Sequence, residues 1–319
     1  MKEKVKNFLK DYATLVALIV IVIVASIMFE QFFTINNFNN LLKRSSIIAI
    51  MAIGEAFVIL TGSIDLSVGY QCGFASIIAA MIGTSSYGST IWMILVPVIV
   101  SMMWGALNGF CVTKLKVQPF IVTLATMSGI NGVGLLITDG GNSIGIENAL
   151  FNKIGTASWG MVSLSAVIML LIVAFAAFAS KKFRFGRYCY AIGGNEDSAI
   201  MKGIPVDKIK FTTYVISGAC AGLSGVIMAS RTHSGNILLG EGYEMDALAA
   251  AVLGGILLCG GHGKVINSMW GAIIIMIISN IINLNKNIPY QWEGVVTGGI
   301  LLMILVVQSI IIKASKLEK

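Results

Sequence analysis

Charge is scarce in this chain. Asp, Glu, Lys and Arg make up 12% of its 319 residues, about half of the ~25% usual in soluble domains, and that deficit excludes an ordinary soluble globular protein. Histidine is nearly absent: His233 and His262 are far apart and lack zinc-ligand spacing. Five cysteines occur, Cys72, Cys111, Cys189, Cys220 and Cys259, with no close pair, so they read as packing residues. No G-x-x-x-x-G-K-[ST] phosphate loop is present, because Gly263-Lys264 is followed by Val265. G-x-S-x-G and HExxH are missing too. The chain therefore has no equipment for hydrolysing ATP or for covalent chemistry. No enzymatic activity, cofactor or metal is expected.

What it has is apolar sequence, 56% of all residues, in runs long enough for membrane helices, which need about 20 residues each. The expected fold is one all-α polytopic membrane domain over 1–319. About ten spans fall near 12–29, 45–61, 66–83, 91–113, 120–138, 159–180, 211–230, 247–259, 265–284 and 294–312. The run at 247–259 is short and reads as a buried or partly re-entrant span. The first run lacks a small-residue cleavage site and reads as a retained span.

The net charge of +7 fits orientation in a bilayer better than nucleic-acid binding, since the basic residues cap apolar runs and are not interleaved with aromatics. With both termini inside, Lys and Arg number 17 on the inner side and 5 on the outer, as the positive-inside rule requires. The pair Lys43–Arg44 is the exception. Two similar stretches, Ser101-Met-Met-Trp-Gly-Ala and Ser268-Met-Trp-Gly-Ala, lie five spans apart, the spacing of an inverted repeat.

The most charged segment is 181–210, on the inner side. Asn195 suits a helix N-cap, with Glu196 and Asp197 in the first turn; Gly203 suits the left-handed stop and Pro205 blocks continuation. The pattern predicts one short helix over 196–202. A helix of that length is unstable alone and must dock on something. The segment reads either as a solvated loop or as a docking element for a soluble partner.

Two further stretches carry polar residues at depth. In 54–69, Glu55 interrupts an apolar run, so it must face the bundle interior. Thr61, Gly62 and Ser63 release the backbone, and Asp65 is placed to cap the next helix. A tight turn and a cavity-lining break are both open for Thr61, Ser63, Asp65 and Ser67. In 240–263, Glu241, Glu244 and Asp246 precede a run of small residues suited to close helix packing. Glu55 or Asp65 as a proton site would make a secondary transporter; a scaffold that moves nothing is the remaining alternative.

Five motifs, FFTINNF (32–38), ILTGSIDLSVG (59–69), VQPFIVTLATM (117–127), FGRYCYAIGGNEDSAIMKGIPVDKIK (185–210) and GYEMDALAAAVLGG (242–255), resemble in order the ribose-type ABC sugar permease family. Glu55, the stretch CGGHGK (259–264) and residues 144–159 depart from it. The resemblance implies a multi-pass permease of the bacterial inner membrane with cytoplasmic termini. It implies a second permease copy, a separate cytoplasmic ATP-binding subunit and an extracytoplasmic sugar-binding protein as partners. It also implies that Gly193, Gly194, Asn195, Glu196, Ala199, Gly203 and Ile204 meet the ATPase. The candidates for the solute path, Glu55, Thr61, Ser63, Asp65, Ser67 and Asp246, come instead from the polar residues at depth in 54–69 and 240–263.

Overall fold

Each apolar run contributes a helix. The structure, a computed structural model, describes residues 2–85, 89–285, 289 and 291–317; Lys286 and Lys319, counted above for orientation, lie outside them. In chain order the helices are α1 (Lys2–Met28), α2 (Ile35–Leu60), α3 (Val68–Thr84), α4 (Thr90–Thr113), α5 (Pro119–Ile137), α6 (Ala149–Thr156), α7 (Leu164–Lys182), α8 (Arg184–Gly194), α9 (Glu196–Met201), α10 (Val206–Thr232), α11 (Tyr243–Leu253), α12 (Asn267–Leu284) and α13 (Trp292–Leu317). Four two-residue strands interrupt them: β1 (Ile144–Gly145) pairs antiparallel with β4 (Ser234–Gly235), and β2 (Ser158–Trp159) with β3 (Val162–Ser163).

Among the described residues five helices, α4, α5, α7, α10 and α12, are long and apolar enough to cross a membrane, and parts of α1, α3 and α13 form shorter apolar helices. α2 carries Lys43, Arg44 and Glu55, yet it is the centre of the fold. Every residue from 45 to 60 is buried, with α7, α10, α11 and α12 packed round it. α4 is the opposite case: Ile91, Leu95, Ile99, Met103 and Phe110 are exposed apolar residues, the signature of a face turned to lipid.

Small residues set the crossings. A Cβ on Gly105 would overlap the Tyr214 carbonyl, and one on Gly218 the Ser101 carbonyl, so α4 and α10 meet backbone to backbone. The second copy of the echoed stretch does likewise: Gly271 of α12 lies against the Ala250 carbonyl of α11.

The structure corrects four local expectations. The expected span at 247–259 is helical only to Leu253; glycines with positive φ at 255, 260, 261 and 263 turn the chain instead. The expected span at 159–180 begins at Leu164, because 158–163 is spent on the β2–β3 hairpin. Residues 181–210 hold a second helix, α8, whose amphipathic face buries Cys189 and Ile192. Asp65 does not cap α3. The helix starts two residues later than expected, at Val68, and the Asp65 carboxylate accepts from the Ser67 N–H at 3.1 Å, an Asx turn ahead of the helix. Residues 144–159 fold as β1, α6 and β2, with Asn148 accepting from the amides of Leu150 and Phe151.

Candidate functional site

The short helix foreseen at 196–202 is α9. Asn195 Oδ1 accepts from Ser198 N–H at 2.7 Å. At the other end Gly203 (φ 74) donates to the Ile200 carbonyl at 2.9 Å, and Ile204 to the Ala199 carbonyl at 3.1 Å, the paired bonds of a Schellman stop. Lys210 Nζ donates to Glu196 Oε2 at 2.6 Å, tying α9 to α10. Gly194, Asn195, Glu196 and Gly203 are exposed, while Ala199 is buried against the protein itself. The apolar side chains that α9 offers outward are its neighbours: Ile200 is 56% and Met201 81% exposed. The resemblance named Ala199 and not these two, and a helix this short has no readable period to separate them.

Behind α9 lies a junction made of backbone. Leu60, the last residue of α2, accepts from Gly261 N–H at 3.0 Å. Gly193, near the end of α8, is wedged so closely that a Cβ there would overlap both the Leu60 carbonyl oxygen and the Gly261 nitrogen. A Cβ on Gly260 would come within 2.8 Å of Gly62 N and 2.9 Å of Gly193 Cα. Tyr190 of α8 closes the contact by donating to the Gly263 carbonyl at 2.9 Å. The stretch CGGHGK thus joins α8 to the end of the central helix.

The break after α2 turns inward to a buried polar node. Asp65 N–H donates to Glu55 Oε1 at 3.1 Å. Asp65 Oδ1 accepts from Ser67 Oγ at 2.5 Å and from Asn108 Nδ2 at 3.4 Å, and its Oδ2 accepts from Ser217 Oγ at 2.9 Å. Asn108 Nδ2 also donates to Ser67 Oγ at 2.9 Å, and Gln71 Nε2 to the same oxygen at 2.7 Å. Thr126 Oγ1 donates to Asn108 Oδ1 at 2.6 Å. All but Thr126 are buried, and together they join α2, α3, α4, α5 and α10. Such a node resists separation, since each polar group left unpaired costs about 1–3 kcal/mol. Glu55, Asp65 and Ser67 are brought together here. Thr61 turns its hydroxyl to the Val58 carbonyl at 2.8 Å, and Ser63 is buried beside the node.

Asp246 stands apart from that group. It lines a cavity of about 650 Å³ between α2, α11 and α13, with Arg44, Tyr243, Gln291, Glu293 and Thr297. Arg44 Nη2 lies 3.5 Å from Glu293 Oε1. Of the Lys43–Arg44 pair that fits the orientation count poorly, Arg44 lines this cavity and Lys43 Nζ donates to the Thr156 carbonyl at 2.7 Å. The cavity offers donors, acceptors and one aromatic face; Glu241 lines it too, so three carboxylates share it with the Arg44 guanidinium. Arg44, Gln291, Glu293 and Thr297 went unrecognised in the sequence because they lie on elements about 200 to 250 residues apart.

Comparison with known proteins gives a consistent result. Residues 37–305 match the family described as branched-chain amino acid transport system / permease component. The ribose import permease of Escherichia coli K12 is 38% identical over 304 residues, 94% of each chain. The D-allose transport system permease of the same organism is 32% identical over 307 residues, 96% of this chain and 94% of the relative. Its L-arabinose transport system permease is 34% identical over 295 residues, 92% and 88%. No solved structure matches.

Proposed function

We propose a function from one premise: this chain belongs to the branched-chain amino acid transport system / permease component family, which covers residues 37–305. The reading is a multi-pass permease subunit of an ATP-binding-cassette importer for a monosaccharide. An extracytoplasmic binding protein delivers the sugar, and a separate cytoplasmic subunit hydrolyses ATP. The relatives named for ribose, D-allose and L-arabinose support the solute class. The observation that carries it is the Arg44–Asp246–Glu293 cavity, a polar space beside the central helix. We take the ten spans, the inverted repeat and a pairing with a second permease copy as part of the same reading.

In this mechanism the partner ATPase grips α9 through Ile200 and Met201. Its closure moves α8 and α9, and the glycine junction passes that motion to Leu60 and so to α2. α2 carries both Glu55 of the node and Arg44 of the cavity, so displacing it changes the solute space. A push on α9 shifts the bundle between states only through contacts that differ between them. Glu55 and Asp65 hold the node; neither lines the cavity, so a proton-coupled path through them has no support in the geometry.

Two experiments test this reading. In proteoliposomes with the ATPase and the binding protein, uptake of one member of a pentose and hexose panel depends on ATP and persists with a proton uncoupler. Asp246→Asn slows that uptake about tenfold, the effect of losing one hydrogen bond to a charged group. Uptake abolished by the uncoupler, or unchanged in Asp246→Asn, would count against it. Orientation is checked separately on a Cys259→Ser background, since Cys259 is an exposed cysteine. A membrane-impermeant maleimide labels Met201→Cys in inside-out vesicles and not in intact cells. The reverse pattern would place α9 outside.

A further inference from the structure

A second cavity opens on the side of the bundle, between α4, α7 and α10. Its volume is about 590 Å³ and its walls are apolar: Phe57, Leu95, Ile172, Phe175, Phe183 and Phe185 line it. Phe175, Phe183 and Leu95 are each exposed, so the groove opens to the surroundings. In a bilayer its mouth faces acyl chains.

One end of the groove is basic. Phe183 and Phe185 alternate in sequence with Lys182, Arg184 and, two residues on, Arg187; Lys181 completes the group. All four cations are exposed, and among the described residues none has a carboxylate within ion-pair distance. Several basic residues on this side differ, since Lys114 and Lys116 reach Asp207 and Lys210 reaches Glu196, whereas Lys202 and Lys208 share the lack of an ion pair among the described residues. The turn that carries the unpaired cations is also held in place. Phe183 packs edge-on against Phe175 and Phe178, with centroids 6.3 and 5.6 Å away. Phe185 packs on Phe57 at 5.5 Å, and Arg187 Nη1 donates to the Lys182 carbonyl at 2.9 Å.

We propose that this groove is a binding site for an anionic phospholipid. An acyl chain lies along Leu95, Ile172 and Phe175, and the phosphate meets Lys181, Lys182 and Arg184. Unpaired cations beside an apolar slot match both parts of such a molecule, as in other basic pockets between membrane helices. A zwitterionic lipid matches only the slot. The floor of the groove is Phe57 of α2 and Cys220 of α10, so the bound chain braces the two helices that carry Glu55 and Ser217.

The test is native mass spectrometry of the full chain released from nanodiscs containing equal phosphatidylglycerol and phosphatidylcholine with identical acyl chains. The wild type retains phosphatidylglycerol about tenfold over phosphatidylcholine. The triple variant K181Q/K182Q/R184Q, altered only at exposed positions, retains both equally. Ala219→Phe, which fills the groove, retains neither. Equal retention by the wild type, or an undiminished preference in the triple variant, would overturn the proposal. So would efficient cross-linking of Phe175→Cys to a second copy in the membrane, which would show a protein covering this face.

Discussion

Gly193→Ala stops ATP-driven uptake, while Gly194→Ala, one residue on, leaves it near normal. The two glycines are adjacent and chemically identical, so propensity cannot separate them. Space does. A methyl group at 193 would occupy the positions of the Leu60 carbonyl oxygen and the Gly261 nitrogen, whereas nothing lies within 4 Å of a Cβ at 194. The obstructing atoms at 193 are backbone, so no rotamer change relieves the overlap. The junction must open, which costs roughly 1–3 kcal/mol, as overpacking does. Opening it also breaks the Gly261 to Leu60 hydrogen bond. An equilibrium between two transport states shifts about ten- to hundredfold under a load of that size. The measurement compares uptake with ATPase activity in the assembled transporter. Gly193→Ala keeps ATP hydrolysis and loses uptake, because α9 with Ile200 and Met201 is intact while α8, which leads into it, is no longer held against the end of α2. Normal uptake in Gly193→Ala, or equal damage in both variants, would remove the junction from the mechanism.

Asp65→Ala costs about 3 kcal/mol or more of stability, since three buried side chains lose their acceptor at once. Ser67, Asn108 and Ser217 all donate to its carboxylate, and they belong to the start of α3, to α4 and to α10. Asp65→Asn keeps the shape and one acceptor oxygen, and the Ser217 hydroxyl can rotate to accept from the new amide. Its cost is less than half that of the alanine variant. Unfolding in a denaturant titration of the detergent-solubilised chain reads both. The same pair of variants separates a node from a solute contact. If Asp65→Ala matches the wild type in stability and yet abolishes uptake, the carboxylate serves the solute and the lock reading fails.

The pairing of expectation with outcome divides along the range of the contacts involved. α9 was legible to within one residue because its start and stop depend on hydrogen bonds between residues three to five apart: Asn195 to Ser198, Gly203 to Ile200, Ile204 to Ala199. α8 was not. Its two arginines and terminal glycines resemble a loop, and only packing of Cys189 and Ile192 against the bundle makes it a helix. The direction of Ile200 and Met201 was hidden for a similar reason, since six residues do not define a face. Glu55 was foreseen to face the interior from the cost of a carboxylate in hydrocarbon. That its partner is the Asp65 amide was not foreseen, because the turn between them is set by where α3 begins.

By itself the sequence determined that the chain is apolar enough for a bilayer, where the short helix α9 starts and stops, and to which family it belongs. Each of these depends on composition or on neighbours a few positions apart. Only the tertiary structure decided that Asp65 meets Asn108 and Ser217, that Gly193 touches Leu60 and Gly261, and that Arg44, Asp246 and Glu293 share one cavity. Membrane helices are apolar on their lipid and their protein faces alike, so hydrophobic periodicity does not say which side meets which neighbour. That choice rests on close backbone approach and on satisfying the few buried polar groups, and both conditions join residues far apart in the chain.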